Sequence, residues 1–284
     1  MTRVVTVFAL ALWCSISSLA QTPVCDSLSD ADRKVAEAIM ATEYLYDCCD
    51  DTIAACLAVD PVCDLAVRLA DNVCRRVASG QDEARIRRGL SRRARSMMGR
   101  GAPAEIDLSA APAVGPQDAP VTLVVYACAR CPYCSKLVPE LYEALTEPPL
   151  ADDVRMAFRI FPIRGHEGST PAGLGFAAAV EMDAFWPFLL HAYGHFDEFD
   201  PEVQADWAES AGLEREAFQK LMADSATRDS LVASKKEGLV NGVEETPTLF
   251  INGRRWVGDL ETAEVLDALA EEAERVKASS RSDE

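Results

Sequence analysis

The sequence is poor in positive charge. Its 28 Lys and Arg residues stand against 46 Asp and Glu residues, which gives a formal net charge of −18. A strongly acidic protein is repelled by phosphate backbones and by anionic lipid surfaces. We therefore expect no nucleic-acid partner and no anionic membrane surface as a main partner.

Histidine is scarce as well. The sequence has 3 histidines, His166, His191 and His195, and they offer no convincing set of metal ligands. A structural zinc site needs four ligands, such as two C-x-x-C pairs or one such pair with two histidines. We predict no metal site and no cofactor, although a three-thiolate metal site at Cys128, Cys131 and Cys134 stays open as an alternative.

Long apolar runs are missing after the first twenty residues. Arg3 is followed by an apolar run at residues 4–16 and by a Ser-Ser-Leu-Ala segment that ends at Ala20. A charged start, a short apolar core and a small-x-small ending are typical of a signal peptide, and the run is short for a membrane span. We predict a signal peptide at residues 1–20 and a periplasmic or secreted protein with no stable membrane insertion. An uncleaved membrane anchor is the alternative.

Cysteine, in contrast, is abundant. The 10 cysteines form one group at residues 25–74 and another at 128–134, and Cys14 lies in the predicted signal peptide. In an exported chain this density indicates structural disulfides. We predict that six cysteines serve in this way: Cys25, Cys48, Cys49, Cys56, Cys63 and Cys74.

The pairing of these six is only partly restricted by geometry. Adjacent Cys48 and Cys49 have Cα atoms about 3.8 Å apart, which is too close for a disulfide. Cys63 and Cys74 would lie about 16 Å apart on one helix, which is too far. A bridge between Cys56 and Cys63 across a helical hairpin is one candidate. The region is predicted to be a helical module stapled by disulfides, with a second redox relay as the alternative.

The segment at residues 21–100 is predicted to be helical. Apolar residues at helical spacing indicate a helix at 30–47, and Asp60-Pro61 is typical of a helix start with an acidic N-cap and proline at the first position. A further helix is predicted at 82–98. Residues 101–119 are rich in Ala, Pro and Gly and are predicted to be a linker.

Seven arginines fall between Arg85 and Arg100 in this otherwise acidic chain. A solvated helix face is the commoner explanation of such a run. The alternative is that the arginines dock onto the acidic domain that follows.

Residues 120–277 have a different pattern. Strand signals and helix signals alternate there, and Asn252-Gly253 has the signature of a two-residue hairpin turn. We predict an α/β domain with a thioredoxin-like fold, a helical insertion at about 165–240, and a polar tail at 278–284. The predicted order is a strand at 121–126, a helix at 132–145, a strand at 154–161, helices at 170–238, a hairpin at 248–257 and a helix at 262–277.

A Cys131-Pro132-Tyr133-Cys134 motif follows the first predicted strand. Pro132 places Cys131 at a helix N-terminus, where unpaired N–H groups and the helix dipole stabilise a thiolate, and Arg130 adds a positive charge. Cys134 lies one turn further on and can form a disulfide with Cys131. We predict that Cys131 attacks and that Cys134 resolves the mixed disulfide.

Three separated motifs resemble the DsbA-like thiol–disulfide oxidoreductases. The resemblance covers roughly residues 112–275 and not the N-terminal helical region. Its motifs are the opening at 115–134; the Phe161-Pro162, His166, alanine-rich 172–179 and Phe185-Trp186 segment; and the loop and hairpin at 243–253.

The resemblance implies that the Thr246–Pro247 bond is cis and lies against the active-site cysteines. In this family the backbone at that loop receives the substrate chain as an added strand. We therefore predict substrate-binding residues Pro132, Tyr133, Thr246 and Pro247.

This sequence departs from the family at two positions. The family usually has a buried acid six residues before the first active-site cysteine, and Val125 stands there in this chain. The proton of Cys134 must then move by water or another group. Cys128 is the second departure, and it is either a small apolar residue at a strand end or a third redox thiol.

These features together predict an exported thiol–disulfide oxidoreductase. Its expected partners are cysteine-containing exported proteins and an unidentified redox partner, and the direction of electron flow is not readable from the sequence. A non-catalytic binding module on the same fold is the alternative from another class.

Overall fold

The computed structural model describes residues 22–99 and 101–282, so the predicted signal peptide lies outside the described residues. The chain divides into two compact units between Ile86 and Arg87. None of the described helices has both the length and the apolar character needed to cross a membrane.

The first unit is built from helices, as the sequence predicts. Its longest helix packs against the other three and buries Leu69, Val73 and Cys74. Side-chain caps fix two of the helix starts, because Ser29 accepts a hydrogen bond from the Asp32 N–H and Thr52 accepts one from the Ala55 N–H. The helices are α1 (Pro23–Asp26), α2 (Asp30–Met40), α3 (Ile53–Cys56) and α4 (Asp64–Ala78).

All six cysteines in the described part of this unit are paired in the structure. The disulfides join Cys25 to Cys74, Cys48 to Cys63 and Cys49 to Cys56.

The candidate bridge between Cys56 and Cys63 is wrong. After α2 the chain reverses, and Tyr44 pairs with Thr52 in an isolated bridge. The reversal leaves the adjacent Cys48 and Cys49 in one loop, from which each reaches a different partner.

Two predicted helix bounds in this unit are also wrong. The helix expected at 30–47 ends at Met40, because the reversal begins there. Asp60-Pro61 does not start a helix; α4 begins at Asp64 with Cys63 as its N-cap. The residues before α4 instead carry Cys63 to its disulfide with Cys48.

The second unit has a five-stranded mixed sheet in the order β1-β3-β2-β4-β5. The two central strands, β2 and β3, are parallel, and every other pair is antiparallel. The strands are β1 (Ala113–Val114), β2 (Val121–Ala127), β3 (Val154–Ile160), β4 (Thr248–Ile251) and β5 (Arg254–Arg255). The predicted thioredoxin-like order of elements is confirmed.

Strand β2 lies at the centre because of its sequence. Its residues form a nearly continuous apolar run, and all of them except Thr122 are buried. Such runs are typical of strands that are covered on both faces.

Helices cover the sheet, and those between residues 169 and 240 form the predicted insertion. Within the insertion, Phe176 packs edge-on against both Phe185 and Phe188. The helices are α5 (Glu83–Met97), α6 (Cys134–Thr146), α7 (Ser169–Glu181), α8 (Phe185–Gly194), α9 (Gln204–Ser210), α10 (Arg215–Ala223), α11 (Ser225–Val240) and α12 (Thr262–Ser282), with a 3₁₀ turn at Phe196–Glu198.

The predicted hairpin is present between β4 and β5. Asn252 and Gly253 have φ angles of 47° and 75°, which a type I′ turn requires. A side chain on Gly253 would also collide with Pro103, because a Cβ there would lie 2.7 Å from the Pro103 Cβ.

The segment at 101–119 is therefore more than the linker that we predicted. The Ala104 N–H donates a hydrogen bond to the Gly253 carbonyl, and β1 adds an edge strand to β3. The composition of the segment did not predict this strand, because an edge strand of two residues needs no hydrophobic pattern.

Helix α5 belongs mostly to the second unit, so the predicted boundary at residue 100 is too late. Arg93 is fully buried and its guanidinium lies 2.9 Å from the Asp267 carboxylate and 2.8 Å from that of Glu271, both on α12. Arg92 forms an ion pair with Asp259. The docking alternative for the arginine run is confirmed for these two residues.

The predicted polar tail at 278–284 is wrong for most of its length. Helix α12 continues to Ser282. The chain from Lys277 to Ser282 contains no Gly or Pro, so nothing in it stops the helix.

Candidate active site

Cys131 lies in the connection from β2 to α6. Its N–H donates a hydrogen bond to the Cys128 carbonyl, and its own carbonyl accepts one from the Ser135 N–H. Helix α6 begins at Cys134, so the predicted helix start at Pro132 is early by two residues, and a tight turn holds Cys131 at the helix entrance. The turn aims backbone N–H groups at its sulfur.

The two cysteines of the motif have opposite electrostatic environments. A hydrogen bond from the Cys134 thiol, aided by the backbone N–H groups of Cys134 and Tyr133, lowers the pKa of Cys131 to about 5. Burial raises the pKa of Cys134 well above its ordinary value, and the neighbouring Cys131 sulfur raises it further. At neutral pH the geometry favours a thiolate at Cys131 and a thiol at Cys134.

Arg130 does not supply the positive charge that we expected beside Cys131. Its guanidinium lies over the rings of Phe196 and Phe199, 4.3 and 4.5 Å from their centroids, and it donates to the Phe196 carbonyl. The Cys131 pKa is instead lowered by short-range hydrogen bonds.

The loop before β4 lies against Cys131. The Thr246–Pro247 peptide bond is cis, as the resemblance implied, and the Cys131 sulfur lies 3.3 Å from the Thr246 carbonyl oxygen. The Thr246 hydroxyl oxygen is buried, and the Thr246 side chain helps to lower the pKa of Cys131. The structure thus brings together four predicted site residues: Cys131, Cys134, Thr246 and Pro247.

The other two predicted site residues lie at the surface of the motif. Pro132 is exposed, and Tyr133 is exposed over 74% of its area. Their role in substrate binding stays a prediction.

Val125 is fully buried in β2. Position 125 therefore lacks the carboxylate that the family usually has there.

Tyr193 on α8 is a polar residue in this region that the sequence interpretation missed. Its hydroxyl donates to the Cys128 carbonyl at 3.2 Å, and burial, with the three nearby cysteines, raises its pKa. Only the packing of the insertion places it there, so no local motif could have indicated it.

Cys128 is a buried free thiol with polar neighbours. Its sulfur lies 3.2 Å from the Ser169 hydroxyl and 3.4 Å from His166 Nδ1, and it accepts from the Arg130 N–H. The contact with His166 connects the motif turn to the start of the insertion. The interpretation of Cys128 as a purely apolar residue does not account for these contacts.

The three-thiolate alternative gains no support from the geometry. Over residues 22–99 and 101–282, no three His, Cys, Asp or Glu side chains are grouped so that they could hold a metal ion. The three cysteines of this region are free thiols in the structure.

Comparison with curated proteins gives partial matches to larger proteins. The chain is 33% identical over 145 residues to the Na(+)/H(+) antiporter NhaA 3 of Salinispora tropica, a match that covers 51% of this chain and 22% of the antiporter. It is 30% identical over 158 residues to the Na(+)/H(+) antiporter NhaA 1 of Mycolicibacterium gilvum, covering 55% of this chain and 25% of that protein. The chain thus spans about a quarter or less of the curated relatives that it matches.

Solved structures share the fold. BdbD from Bacillus subtilis superposes with a TM-score of 0.55 at 19% identity, over 61% of this chain and 98% of BdbD. Wolbachia pipientis alpha-DsbA1 gives a TM-score of 0.54 at 17% identity, over 61% and 96%. The catalytic domain of Proteus mirabilis ScsC gives 0.51 at 20% identity, over 66% and 98%.

A family model described as Thioredoxin (Thioredoxin_4) matches residues 108–271. This range contains the cysteine motif, the helical insertion and the cis-proline loop. The chain therefore belongs to the thioredoxin family and has the DsbA-like fold.

Proposed function

We propose that this protein exchanges disulfides with exported proteins, with Cys131 as the nucleophile and Cys134 as the resolving thiol. The observation that carries the proposal is the position of the Cys131 sulfur, 3.3 Å from the Thr246 carbonyl at the cis-proline loop. A substrate chain that pairs with the Thr246 backbone brings its own sulfur next to Cys131.

The reaction has two steps. The Cys131 thiolate attacks one sulfur of a substrate disulfide, which forms a mixed disulfide and releases the other substrate sulfur as a thiolate. Cys134 then loses its proton and attacks the Cys131 sulfur, which closes the protein disulfide and releases the second substrate thiol. The reverse sequence transfers the disulfide to a substrate dithiol.

Export to an oxidising compartment is part of the proposal. Three disulfides in the first unit support it, since structural disulfides persist in such compartments. The periplasm, or secretion after cleavage behind Ala20, is the location that we propose.

The direction of electron flow depends on how strongly the Cys131 thiolate is stabilised. A more stable thiolate favours the reduced protein and makes the disulfide a stronger oxidant. Redox pairs with a nucleophile pKa of about 7 have potentials near −270 mV, and those with a pKa of about 3.5 have potentials near −120 mV. With a Cys131 pKa of about 5, we expect a potential between these two values.

The test is the equilibrium of the Cys131–Cys134 pair in glutathione buffers, read by the mass shift on alkylation. Cys131→Ser is the control. A midpoint between about −270 and about −120 mV supports the proposal. Absence of exchange in the wild-type protein contradicts it and leaves the binding-module alternative.

A further inference from the structure

A groove of about 790 Å³ lies beside the cis-proline loop, and we name it the cis-proline groove. One wall comes from the motif and the first turns of α6, and the other from the loop that leads into α12. Its lining includes Tyr133, Lys136, Leu137, Glu140, residues 245–247 and residues 258–262. Arg92 of α5 also lines it, although it lies outside the range that the family model matches.

The groove carries more carboxylates than cations. Arg92 is held by Asp259, so this pair adds no net charge. The remaining carboxylates are those of Glu140, Glu245 and Glu261, against the single ammonium group of Lys136.

Two of these carboxylates are available to a partner. Glu245 and Glu261 are exposed, and within the described part of the chain neither takes part in an ion pair. Glu140 differs, because its carboxylate accepts a hydrogen bond from the Thr262 hydroxyl. Glu245 directly precedes Thr246, whose carbonyl faces the Cys131 sulfur.

Apolar surface is exposed on both walls of the groove. Tyr133 is 74% exposed, and Leu260 on the opposite wall is 41% exposed. A polypeptide lying in the groove covers both side chains and gains hydrophobic contact.

We propose that the cis-proline groove selects substrate segments in which Lys or Arg and an apolar residue flank the reacting cysteine. The flanking cations pair with Glu245 and Glu261, while the apolar residue packs against Tyr133 and Leu260. This inference rests on the proposed function, because the groove would bind the substrate segment that carries the sulfur attacked by Cys131. The net charge of −18 attracts the same substrates at longer range.

Two fluorescent peptides test this selectivity: acetyl-Lys-Leu-Cys-Leu-Lys-amide and its Glu-for-Lys counterpart, each capped on cysteine by glutathione. Reduced protein attacks the mixed disulfide through Cys131, and Cys134 then closes the protein disulfide, so that glutathione and the peptide leave as thiols. We expect the Lys peptide to react about tenfold faster at low salt, and this ratio to fall to about threefold in 0.5 M salt, where screening is strong.

Matched variants separate the effect of the groove on selectivity from the effect of the overall charge. Glu245→Gln with Glu261→Gln is expected to lower the ratio at low salt to about threefold or less, because it removes both pairing carboxylates. Glu202→Gln with Glu216→Gln makes the same change in net charge at exposed positions around the insertion and is expected to keep the ratio within about twofold of wild type.

Equal rates for the two peptides, or an equal loss of selectivity in both double variants, overturns the inference while the proposed function stands. If the reduced protein reacts with neither peptide nor with oxidised glutathione, the proposed function itself fails, and the inference fails with it.

Discussion

In the first unit every described cysteine is closed in a disulfide, whereas in the second unit Cys128, Cys131 and Cys134 are all free thiols. The paired cysteines lie in the helices and loops of a small helical unit. The free cysteines lie where a strand at the sheet centre meets a helix, among backbone N–H groups and a cis-proline loop. Cysteine is therefore structural in the first unit, whereas in the second unit hydrogen bonds and burial shift the pKa values of Cys131 and Cys134 in opposite directions.

Cys131→Ser is expected to have the largest effect. It removes the proposed nucleophile, so the rate of exchange with a disulfide peptide should fall by more than about a thousandfold. Cys134→Ser should instead accumulate a mixed disulfide at Cys131, detectable by intact mass. Cys128→Ser is the control and is expected to keep the rate within about threefold. If the Cys131→Ser variant exchanged disulfides at the wild-type rate, Cys131 would not be the nucleophile.

Arg93→Ala is expected to destabilise the second unit by about 3–5 kcal/mol, because it leaves the carboxylates of Asp267 and Glu271 without their buried cation. Urea unfolding followed by circular dichroism measures this loss. Arg88→Ala on the same helix changes an exposed side chain and is expected to cost less than about 0.5 kcal/mol. Similar losses in the two variants would show that the buried ion pairs contribute little.

Each disulfide of the first unit is expected to stabilise it more when the loop that it closes is longer, with a logarithmic dependence on loop length. Replacing Cys25 and Cys74, which are 49 residues apart, by Ala should cost about 4 kcal/mol. The same change at Cys49 and Cys56, only 7 residues apart, should cost about 2 kcal/mol. Denaturant unfolding of both variants checks this order. A larger loss from the shorter loop would point to native packing rather than chain entropy.

The smallest expected effect is the pH dependence of thiol reactivity. Because the pKa of Cys131 is about 5, its alkylation rate in the reduced protein should fall only about tenfold from pH 7 to pH 4. An ordinary thiol would lose about a thousandfold over that range. Cys134, whose pKa is raised, should react only under alkaline conditions. Mass spectrometry after timed alkylation distinguishes the two sites, and matching profiles at both would refute the assignment of roles.

The same shift links pH to stability. The folded pKa of Cys131 lies below its ordinary value near 9, so the thiolate stabilises the reduced protein. That stabilisation is fully present above about pH 9 and is lost as the pH falls through about 5. Unfolding of the reduced protein across this range, with Cys131→Ser for comparison, measures the contribution.

Local sequence patterns predicted the elements of the second unit well. The apolar run of β2 and the Asn252-Gly253 turn are signals that act over a few residues, and both were correct. The disulfide pairing in the first unit was not accessible in this way. It depends on a chain reversal after α2 that places Cys48 and Cys49 within reach of different partners.

The features of the cysteine motif were likewise predictable from the sequence only in part. The spacing of Cys131 and Cys134 indicated a redox pair, but the assumed role of Arg130 was wrong, because its side chain packs on Phe196 and Phe199 from a distant part of the chain. Tyr193 and the contacts of Cys128 were missed for the same reason.

The sequence by itself determined the order of strands and helices in the second unit and the cysteine motif, because each is encoded within a few consecutive residues. The cis-proline loop was predicted from the resemblance to a known family. Only the tertiary structure decided the three disulfide pairs, the burial of Arg93 against α12 and the charges that line the cis-proline groove. Those features join residues far apart in the chain, and their positions follow from packing, which no local pattern specifies.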